Sequence, residues 1–588
     1  MIDPIAVFFL AVIGIVSVPS LIFSAGYLRV EPLNTKLTAW ALSSIFIISM
    51  CLVVTSGNLF SFLIFWELMS LSSYFLVVFD YKHEKSIRAG TIYMVMTHAG
   101  TACIMAAFLI LYKHAYSFDY HAVKEAFTVL NPYTKNTVFL LLFTGFAVKA
   151  GVVPLHIWLP YAHPQAPSYI SSIMSGVMIK VALYGMIRFF INILGPGPAW
   201  WGALIIVSGM VSCMVGIIYA LMESDIKKLL AYSSVENMGI ILLGVGTAIL
   251  FYGLGVMPVA VLGMCAGLYH IVNHALFKGL LFLSSGSIYK ETGLRDMEKM
   301  GGLIKGMPVT AMLFLIGAMG ISAIPPFNGF VSELVTFKAL FSAILQSGGA
   351  MKVFMISAAS VLALTSALAA ACFIKAFGIT FLAMPRSKRA EEAREASFSM
   401  KAGPLLMAFG VVVFGVLASS VAPVLSGISS HIFGTSQAGF TLGPVSRLPA
   451  IIAIILLAVV SAAVIWLRLV HRREKTLSEV WDCGYYEIDN RNEYTATAFS
   501  KPFRIAFGFF LLPYRKSEKI RDSFYHIRKF TYETHTTPVF KNYFYEPLVR
   551  AVYVVALKLR RLQPGSIHLY IAYIFITLVS LLALASIF

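Results

Sequence analysis

Two lysines, Lys149 and Lys180, lie inside apolar stretches that are long enough to cross a membrane. A charged side chain in the hydrocarbon core is unfavourable by about 2.5–3.5 kcal/mol on insertion scales, so each lysine should face a protein interior or a water-filled cavity. Gly151 and Pro154 interrupt the first helix just after Lys149, and the backbone groups freed there need protein or water partners. A buried cation beside an interrupted helix predicts a path for ions or protons.

Glu67 lies near the middle of another apolar stretch. A carboxylate at this depth is expected to have a partner, and Lys149 is the partner that we predict. Because a nearby carboxylate stabilises a protonated lysine, movement of one group relative to the other would decide whether Lys149 keeps its proton. The alternative is an acid that is neutralised by a polar neighbour and has no function.

Three more ionisable residues, His270, His274 and Lys278, follow at intervals of four, which places them on one face of a helix. Histidine accepts and releases protons near neutral pH, so this face is a candidate proton relay. A zinc-protease helix would read His-Glu-x-x-His, whereas this stretch reads His-Ile-Val-Asn-His, so we predict no metal here. Buried structural histidines are the alternative.

A second interrupted helix is predicted at 308–346, where two prolines precede Glu333. Lys375 then lies in the next apolar stretch, as Lys180 follows Lys149. The order of an interruption, a charge and a lysine in the following helix thus occurs twice, which indicates an internal repeat. Inverted repeats with ion sites at interrupted helices are typical of transporters.

The composition indicates a membrane protein with many spans, since 59% of the 588 residues are hydrophobic and 12% are charged. One span needs about 20 apolar residues, and we predict 14 spans when each interrupted helix counts once. They lie near 5–26, 36–56, 58–79, 90–112, 137–163, 166–194, 199–221, 229–251, 256–283, 308–346, 353–384, 404–425, 448–470 and 566–587. The expected fold is an all-α polytopic membrane protein.

Basic residues in the predicted loops lie mainly on one side, for example Lys227, Arg295, Arg386 and Arg472. By the positive-inside rule this side, called the basic side below, is cytoplasmic, so the protein should lie in the inner cell membrane with its N-terminus outside. These loops account for the net charge of +18, and we predict no nucleic-acid partner. No basic segment precedes the first apolar helix, so this helix is expected to be retained rather than cleaved.

Residues 471–565 differ from the spans because they are rich in Lys, Arg, Tyr and Phe. The apolar run at 503–513 is too short to cross a membrane and contains Arg504, so we predict an interfacial segment. The region should be a cytoplasmic domain held to the membrane by a last span at 566–588. Its aromatic and basic residues could also form a nucleic-acid surface, but a surface for lipid headgroups or a partner protein is our interpretation.

Cofactor motifs are weak in this sequence. The six cysteines, at 51, 103, 213, 265, 372 and 483, form no Cys-x-x-Cys pair, and five of them lie in apolar spans. Cys483 lacks nearby histidines and is a poor metal ligand candidate, and no glycine-rich nucleotide loop occurs. We therefore predict no cofactor and no metal, and we assign any redox chemistry to other chains.

Five segments resemble one family of membrane proteins. They read WELMSLSSYFLV, VKAGVVPLHIWLPYAHPQAP, ESDIKKLLAYSSVENMGIILLG, YHIVNHALFKGLLFLSSGSI and IPPFNGFVSEL. They are similar to the proton-translocating antiporter-like family, which supplies large membrane subunits of respiratory complex I, Mrp cation/proton antiporters and energy-converting hydrogenases. The resemblance covers roughly 35–400. The tail, with WDCGYYE, TATAFSKPFR and LQPGSIHLYIAYI, resembles the corresponding subunits of hydrogenase-4 and formate hydrogenlyase.

The resemblance implies two inverted repeats of five helices, at 36–194 and 195–384, between an N-terminal helix at 1–35 and further helices at 385–470. It also implies a role for each buried ionisable residue. Glu67 and Lys149 match the family's Glu–Lys pair, Lys180 the central relay lysine, His270, His274 and Lys278 the connecting relay, Glu333 the terminal acid or lysine, and Lys375 a position where several relatives carry arginine.

Together these features predict a proton-translocating membrane subunit of a multi-subunit oxidoreductase. Redox subunits, such as iron–sulfur, hydrogenase or dehydrogenase proteins, would drive the proton along the relay, and this chain would have no redox chemistry of its own. One alternative is a subunit of a Na⁺/H⁺ antiporter of the Mrp type. A second alternative is a membrane scaffold whose buried charges transfer no protons.

Overall fold

Apolar helices form most of the computed structural model, which describes residues 2–435, 447–470, 484, 488–490, 492–521, 527–560 and 565–587. Within these residues, 13 helices are long and apolar enough to cross a membrane. The predicted span that is not among them, 137–163, is occupied by two shorter helices. The prediction of an all-α polytopic membrane protein is therefore confirmed.

The N-terminal helix is α1 (Pro4–Tyr27). Residues 36–194, called the first half below, correspond to α2 (Leu33–Thr55), α3 (Leu59–Val77), α4 (Glu84–Ala115), α5 (Tyr120–Thr128), α6 (Pro132–Ala150), α7 (Leu159–Gln165), α8 (Ser168–Ile173) and α9 (Ile179–Ile187). Two π-helical turns, Met174–Met178 and Arg188–Ile193, directly precede and follow α9. Side chains that accept backbone N–H groups, including those of Asn58 and Asn131, mark where helices begin.

Residues 195–384, called the second half below, contain seven helices. They are α10 (Ala199–Met222), α11 (Ile226–Gly253), α12 (Met257–Thr292), α13 (Leu303–Gly306), α14 (Pro308–Ile321), α15 (Asn328–Gln346) and α16 (Gly349–Phe381). A 3₁₀ turn, Met297–Lys299, lies between α12 and α13.

Both predicted helix interruptions are present. α6 ends where Gly151 adopts a φ of +73°, a backbone conformation that glycine adopts without steric cost. α14 and α15 are separated by 322–327, which contains Pro325 and Pro326. Gly329 then approaches the carbonyl of Gly320 so closely that a Cβ atom would not fit. The interruptions therefore follow from residues that act locally.

The helices after 384 depart from the prediction at one place. The predicted span 404–425 is divided between α18 (Phe398–Val416) and α19 (Ala418–Ile432), which follow the short α17 (Lys388–Glu391). The next span is α20 (Leu448–Val470). Most of its described side chains are exposed, as expected for a helix that faces lipid or another chain.

Residues 504–588 form a second compact unit, which α21 (Ala496–Ala506) enters from the first. This unit contains α22 (Gly508–Leu511), β1 (Pro513–Arg521), β2 (Ile527–Thr536), α23 (Glu546–Arg560) and α24 (Ile567–Ile587), with a π-helical turn at Phe540–Tyr545. β1 and β2 form an antiparallel hairpin with Pro513 opposite Thr536, which was not predicted from the sequence. α24 occupies the last predicted span, while Cys483 lies outside the described residues.

The most deeply buried spans are Ser168–Ile193, α11 and α12. Small residues bring their neighbours close: a Cβ atom on Gly216 of α10 would meet the backbone of Glu236 in α11, and one on Gly239 would meet Cys213. Small residues let membrane helices approach closely. This packing places the polar residues of α11 in the centre of the protein.

The start of α1 is held by an ion pair. Asp3 accepts the backbone N–H of Ala6 at 3.0 Å, and its two carboxylate oxygens accept from the two terminal nitrogens of Arg188 at 2.7 Å each. Arg188 also donates to the hydroxyl of Tyr184 at 3.1 Å. These contacts fasten α1 to the end of α9.

Three loops that carry basic residues meet at one end of the helices. The backbone N–H of Ile226 donates to the carbonyl of Arg295 at 3.0 Å, and that of Gly302 donates to the carbonyl of Leu382 at 2.8 Å. The segments after α10, α12 and α16 therefore lie together, as expected if they share the basic side.

Candidate functional site

Lys149 lies in the last turn of α6 and is 1% exposed. Its Nζ donates hydrogen bonds to Ser70 Oγ on α3 and to Tyr93 OH on α4, both at 2.9 Å. The C-terminal end of a helix dipole favours a cation. The interruption after α6 thus places the ammonium between three helices, with hydroxyl groups as its direct partners.

Glu67 lies one turn before Ser70 on α3, but its closest cation is not Lys149. In the described part of the chain, its ion-pair partner is His98 of α4, whose Nε2 lies 3.6 Å from Glu67 Oε2. Glu67 still interacts electrostatically with Lys149 over a longer distance. The predicted Glu–Lys pair is therefore linked without a direct hydrogen bond. His98 was missed, although its position inside an apolar helix was an available signal.

Lys180 lies at the start of α9 and is completely buried. Its Nζ donates to the carbonyl of Ser175 in the preceding π-helical turn; such turns occur frequently at functional sites. The hydroxyls of Ser175 and Ser234 lie 2.7 Å apart, so the lysine is connected to α11 of the second half.

Lys278 of α12 continues this connection. Its Nζ donates to the carbonyl of Leu230 at 3.0 Å and to Ser233 Oγ. The same carbonyl accepts a hydrogen bond from Ser234 Oγ at 2.9 Å. A continuous series of hydrogen-bonding groups thus joins Lys180 to Lys278 through Ser175, Ser234 and Leu230.

His270 connects α12 with two neighbouring helices. Its Nε2 lies 3.1 Å from Asn237 Oδ1 on α11, and its Nδ1 lies 3.0 Å from Ser332 Oγ on α15. His274 lies one turn further along α12 and is completely buried, yet neither ring nitrogen forms a hydrogen bond with a described residue. Buried polar groups are normally paired, so His274 has two nitrogens available for proton exchange.

Glu236 is a buried carboxylate of α11 that was not selected from the sequence. It is 1% exposed, accepts from Asn237 Nδ2 at 3.3 Å, and interacts electrostatically with Lys278 and Glu333. The signal was the same as for Glu67, since it is an acid in the middle of an apolar helix. Asn237 joins it to His270.

Glu333 lies in the second turn of α15, beyond the second interruption, and is 5% exposed. Its Oε2 accepts a hydrogen bond from Ser366 Oγ of α16 at 2.5 Å. The neighbouring Ser332 contacts His270. The structure therefore brings the two predicted groups His270 and Glu333 to the same place.

Lys375 lies apart from these contacts, near the end of α16. It donates to the carbonyls of Leu221 and Glu223 at 2.6 and 2.8 Å. His163 of α7 is another residue that was missed. It is completely buried and interacts electrostatically with Lys180 and Lys278, so it lies where the two halves meet.

The arrangement can transfer protons in principle, because imidazole, amine, carboxyl and hydroxyl groups all give and accept them. It brings together Lys180, Lys278, His270, Glu236 and Glu333, whereas Glu67 and Lys149 form a separate cluster in the first half. Within the residues that the structure describes, no group of three His, Cys, Asp or Glu side chains could hold a metal ion.

Known proteins share this sequence. The family described as NADH:quinone oxidoreductase/Mrp antiporter, transmembrane, matches residues 56–363. Hydrogenase-4 component B of Escherichia coli K12 is 38% identical over 99% of this chain and 88% of its own length. Formate hydrogenlyase subunit 3 of the same organism is 34% identical over 78% of this chain and 73% of its own length.

A large Na⁺/H⁺ antiporter protein from Alkalihalophilus pseudofirmus OF4 is 33% identical over 62% of this chain and 46% of its own length. The fold is shared with a chain in the structure of the membrane-bound sulfane sulfur reductase, an archaeal respiratory membrane complex. The TM-score is 0.79 at 24% identity, with 99% of this chain and 89% of that chain covered. This protein is therefore a multi-pass membrane protein that belongs to the NADH:quinone oxidoreductase/Mrp antiporter transmembrane family.

Proposed function

We propose that this chain is the proton-translocating membrane subunit of a multi-subunit oxidoreductase of the hydrogenase-4 or formate hydrogenlyase type. The observation that carries the proposal is the hydrogen-bonded series from Lys180 to Lys278, which crosses from the first half to the second. Partner subunits, carrying hydrogenase, dehydrogenase or iron–sulfur centres, would supply the redox energy. The inner cell membrane, with the basic side in the cytoplasm, is the proposed location.

In this proposal, each buried cation holds a proton that its neighbours can release or accept. Glu67 and His98 control Lys149 in the first half. Lys180 and Lys278 carry the proton between the halves. A change of charge at one site alters the electrostatic energy at the next, because charges interact strongly in an interior of low dielectric constant.

In the second half, His270 and His274 extend the proposed path from Lys278 toward Glu333. His270 contacts Ser332 beside that acid, and Glu236 supplies a negative charge near Lys278. We also retain the division into two inverted repeats at 36–194 and 195–384, since an interruption with an adjacent charge occurs in each.

The test is the Lys149→Ala variant in the complete complex, reconstituted in liposomes with a pH-sensitive dye inside. Proton movement during turnover should fall to the level of protein-free liposomes, while electron transfer by the redox subunits is measured in parallel. Lys352→Ala, which removes an exposed lysine, is the control and should translocate normally. Unchanged proton movement in Lys149→Ala would refute the role and would support a scaffold.

A Na⁺/H⁺ antiporter component is the second candidate, because the family includes the Mrp antiporters. The antiporter relative matches 62% of this chain, against 99% for hydrogenase-4 component B, which favours the redox complex. The same liposomes decide the matter. Proton movement that requires sodium and needs no redox substrate would establish the antiporter, whereas movement that requires turnover in sodium-free buffer would exclude it.

A further inference from the structure

Lys375 has surroundings unlike those of the other buried lysines. It is 1% exposed, and its Nζ contacts the carbonyls of Leu221 and Glu223 at the end of α10 and lies 3.5 Å from Ser500 Oγ of α21. Carbonyl groups in the last turn of a helix have no partner within that helix, and a cation is stabilised there. Lys375 is thus located at the basic end of the second half.

The helix that carries Lys375 also contacts the relay. On α16, Ser366 binds Glu333 at 2.5 Å, and the ring of Phe373 lies 5.8 Å from Lys278 Nζ. Cys372, one turn before Lys375, interacts electrostatically with both Lys278 and Lys375. Lys375 is therefore the next ionisable group beyond Lys278 toward the basic side.

Glu223 lies beside Lys375 in the turn between α10 and α11. Its carboxylate is 3.8 Å from Lys228 Nζ, and its side chain is 23% exposed. Burial raises the pKa of Glu223 above its usual value, although the charges of Lys228 and Lys375 act in the opposite direction and Asp225 adds to the rise. This carboxyl group is thus in electrostatic contact with a buried lysine and within reach of water.

Residues 493–500, called the strap, cover the same end. Glu493 accepts the backbone N–H of Met384 at 2.7 Å. Thr497 donates to Glu298 through its N–H and its hydroxyl, both at 2.6 Å. Ser500, which is 1% exposed, donates to the carbonyl of Leu221 at 2.6 Å, the same carbonyl that Lys375 binds.

We propose that Glu223 and Lys375 form a port through which protons pass between the relay and the basic side, and that the strap closes this port when it is docked. The inference rests on the function proposed above. When Lys375 is a neutral amine, the O–H bond of the Glu223 carboxyl breaks and an N–H bond forms. The Glu223 carboxylate then regains a proton from water on the basic side.

The strap gives this port a means of control. Ser500 and Lys375 share the carbonyl of Leu221, so withdrawal of the strap removes one of the groups that surround Lys375. The segment that follows the strap leads into the unit at 504–588. A partner protein that binds that unit would act on the port through α21.

The first experiment compares Glu223→Gln with Glu391→Gln in the reconstituted complex. Glu391 is an exposed carboxylate after α16 and serves as the matched control. Turnover-driven proton movement in Glu223→Gln should fall to below about a tenth of the unmodified rate, because a positioned proton-transfer group accelerates its step by roughly 100-fold or more. Equal rates in the two variants would overturn the port.

The second experiment tests the strap with Thr497→Val combined with Ser500→Ala, and with Thr497→Ser as the conservative variant. A proton gradient is imposed without redox substrates, and the passive leak is measured. The double variant should leak, Thr497→Ser should not, and adding Glu223→Gln to the double variant should stop the leak. A double variant that lowers the melting temperature of the complex without any leak would show a structural role and overturn the strap as a closure.

These outcomes separate the port from the proposed function. If Lys149→Ala loses proton movement while Glu223→Gln and the strap variants behave as unmodified protein, the port is wrong and the proposed function stands. If Lys149→Ala pumps normally, the proposed function fails, and the port fails with it.

Discussion

The first and second halves accommodate their charges in different ways. In the first half, Glu67 and His98 form an ion pair whose side chains are 28% and 46% exposed on the surface of the helices. In the second half, Glu236, Lys278 and Glu333 are at most 5% exposed. A charge in contact with lipid is unfavourable, so the first half requires a cover at this place, whereas the second half provides its own.

The exposed ion pair of the first half has a consequence for assembly. An ion pair that opens onto an apolar face is stabilised when a neighbouring membrane chain covers it, because removal from lipid and new polar contacts act together. We therefore expect a partner chain to cover the α3–α4 face. The enclosed charges of the second half need no such partner.

The largest expected effect is on the enclosed charges of the second half. Lys278→Met leaves Glu236 without its nearby cation, and an uncompensated buried charge lowers the free energy of unfolding by about 3–5 kcal/mol. Lys278→Met combined with Glu236→Gln should recover most of this loss, since both charges are then absent. SDS-induced unfolding of the detergent-solubilised chain measures both.

Lys305→Met, which removes an exposed lysine, is the control for this measurement and should unfold like the unmodified chain. A double variant as unstable as Lys278→Met alone would show that the two charges do not compensate each other. In that case the second half would not differ from the first in the way described.

An intermediate effect is expected at the ion pair that closes the outer end of the first half. Asp3→Asn removes the carboxylate that Arg188 binds, and the loss of hydrogen bonds to a charged group should lower the free energy of unfolding by about 1–3 kcal/mol at neutral pH. Glu31→Gln, an exposed carboxylate, is the matched control.

The pH dependence of this effect has a definite sign. Burial favours a raised pKa for Asp3, but hydrogen bonds from Arg188 and Ala6, with the charges of Arg188 and His431, hold it below 3.8. A carboxyl group with a lowered pKa stabilises the folded state above its unfolded-state pKa, and this contribution is lost as the pH falls through the folded-state pKa. The difference between Asp3→Asn and unmodified protein should therefore disappear below pH 3.8. A difference that grows as the pH falls would contradict this assignment.

The smallest expected effect on stability is that of Glu67→Gln in the isolated chain. A partly exposed ion pair contributes less than about 1 kcal/mol, so unfolding of this variant should differ little from the unmodified chain. In the assembled complex the same change should weaken retention of the neighbouring membrane chain, as measured by copurification. A large loss of stability in the isolated chain would show that this pair is as enclosed as the second half.

Much of the fold could be predicted from the sequence, because the signals are local. Runs of apolar residues have the length that a bilayer requires, and Gly151 and the Pro325–Pro326 pair interrupt helices where they stand. The division of 404–425 into two helices and the hairpin at 513–536 were not predicted. Neither has the long hydrophobic period that reveals a span.

The amino-acid sequence alone determined which ionisable residues lie within the spans, since a charge in an apolar run is visible without any structure. Only the tertiary structure decided their partners. Lys149 contacts Ser70 and Tyr93 rather than Glu67, Glu236 lies near Lys278, and Lys375 contacts the end of α10. The physical reason is that a side chain's neighbours depend on the rotation and close approach of helices distant in sequence, which glycines such as Gly216 permit.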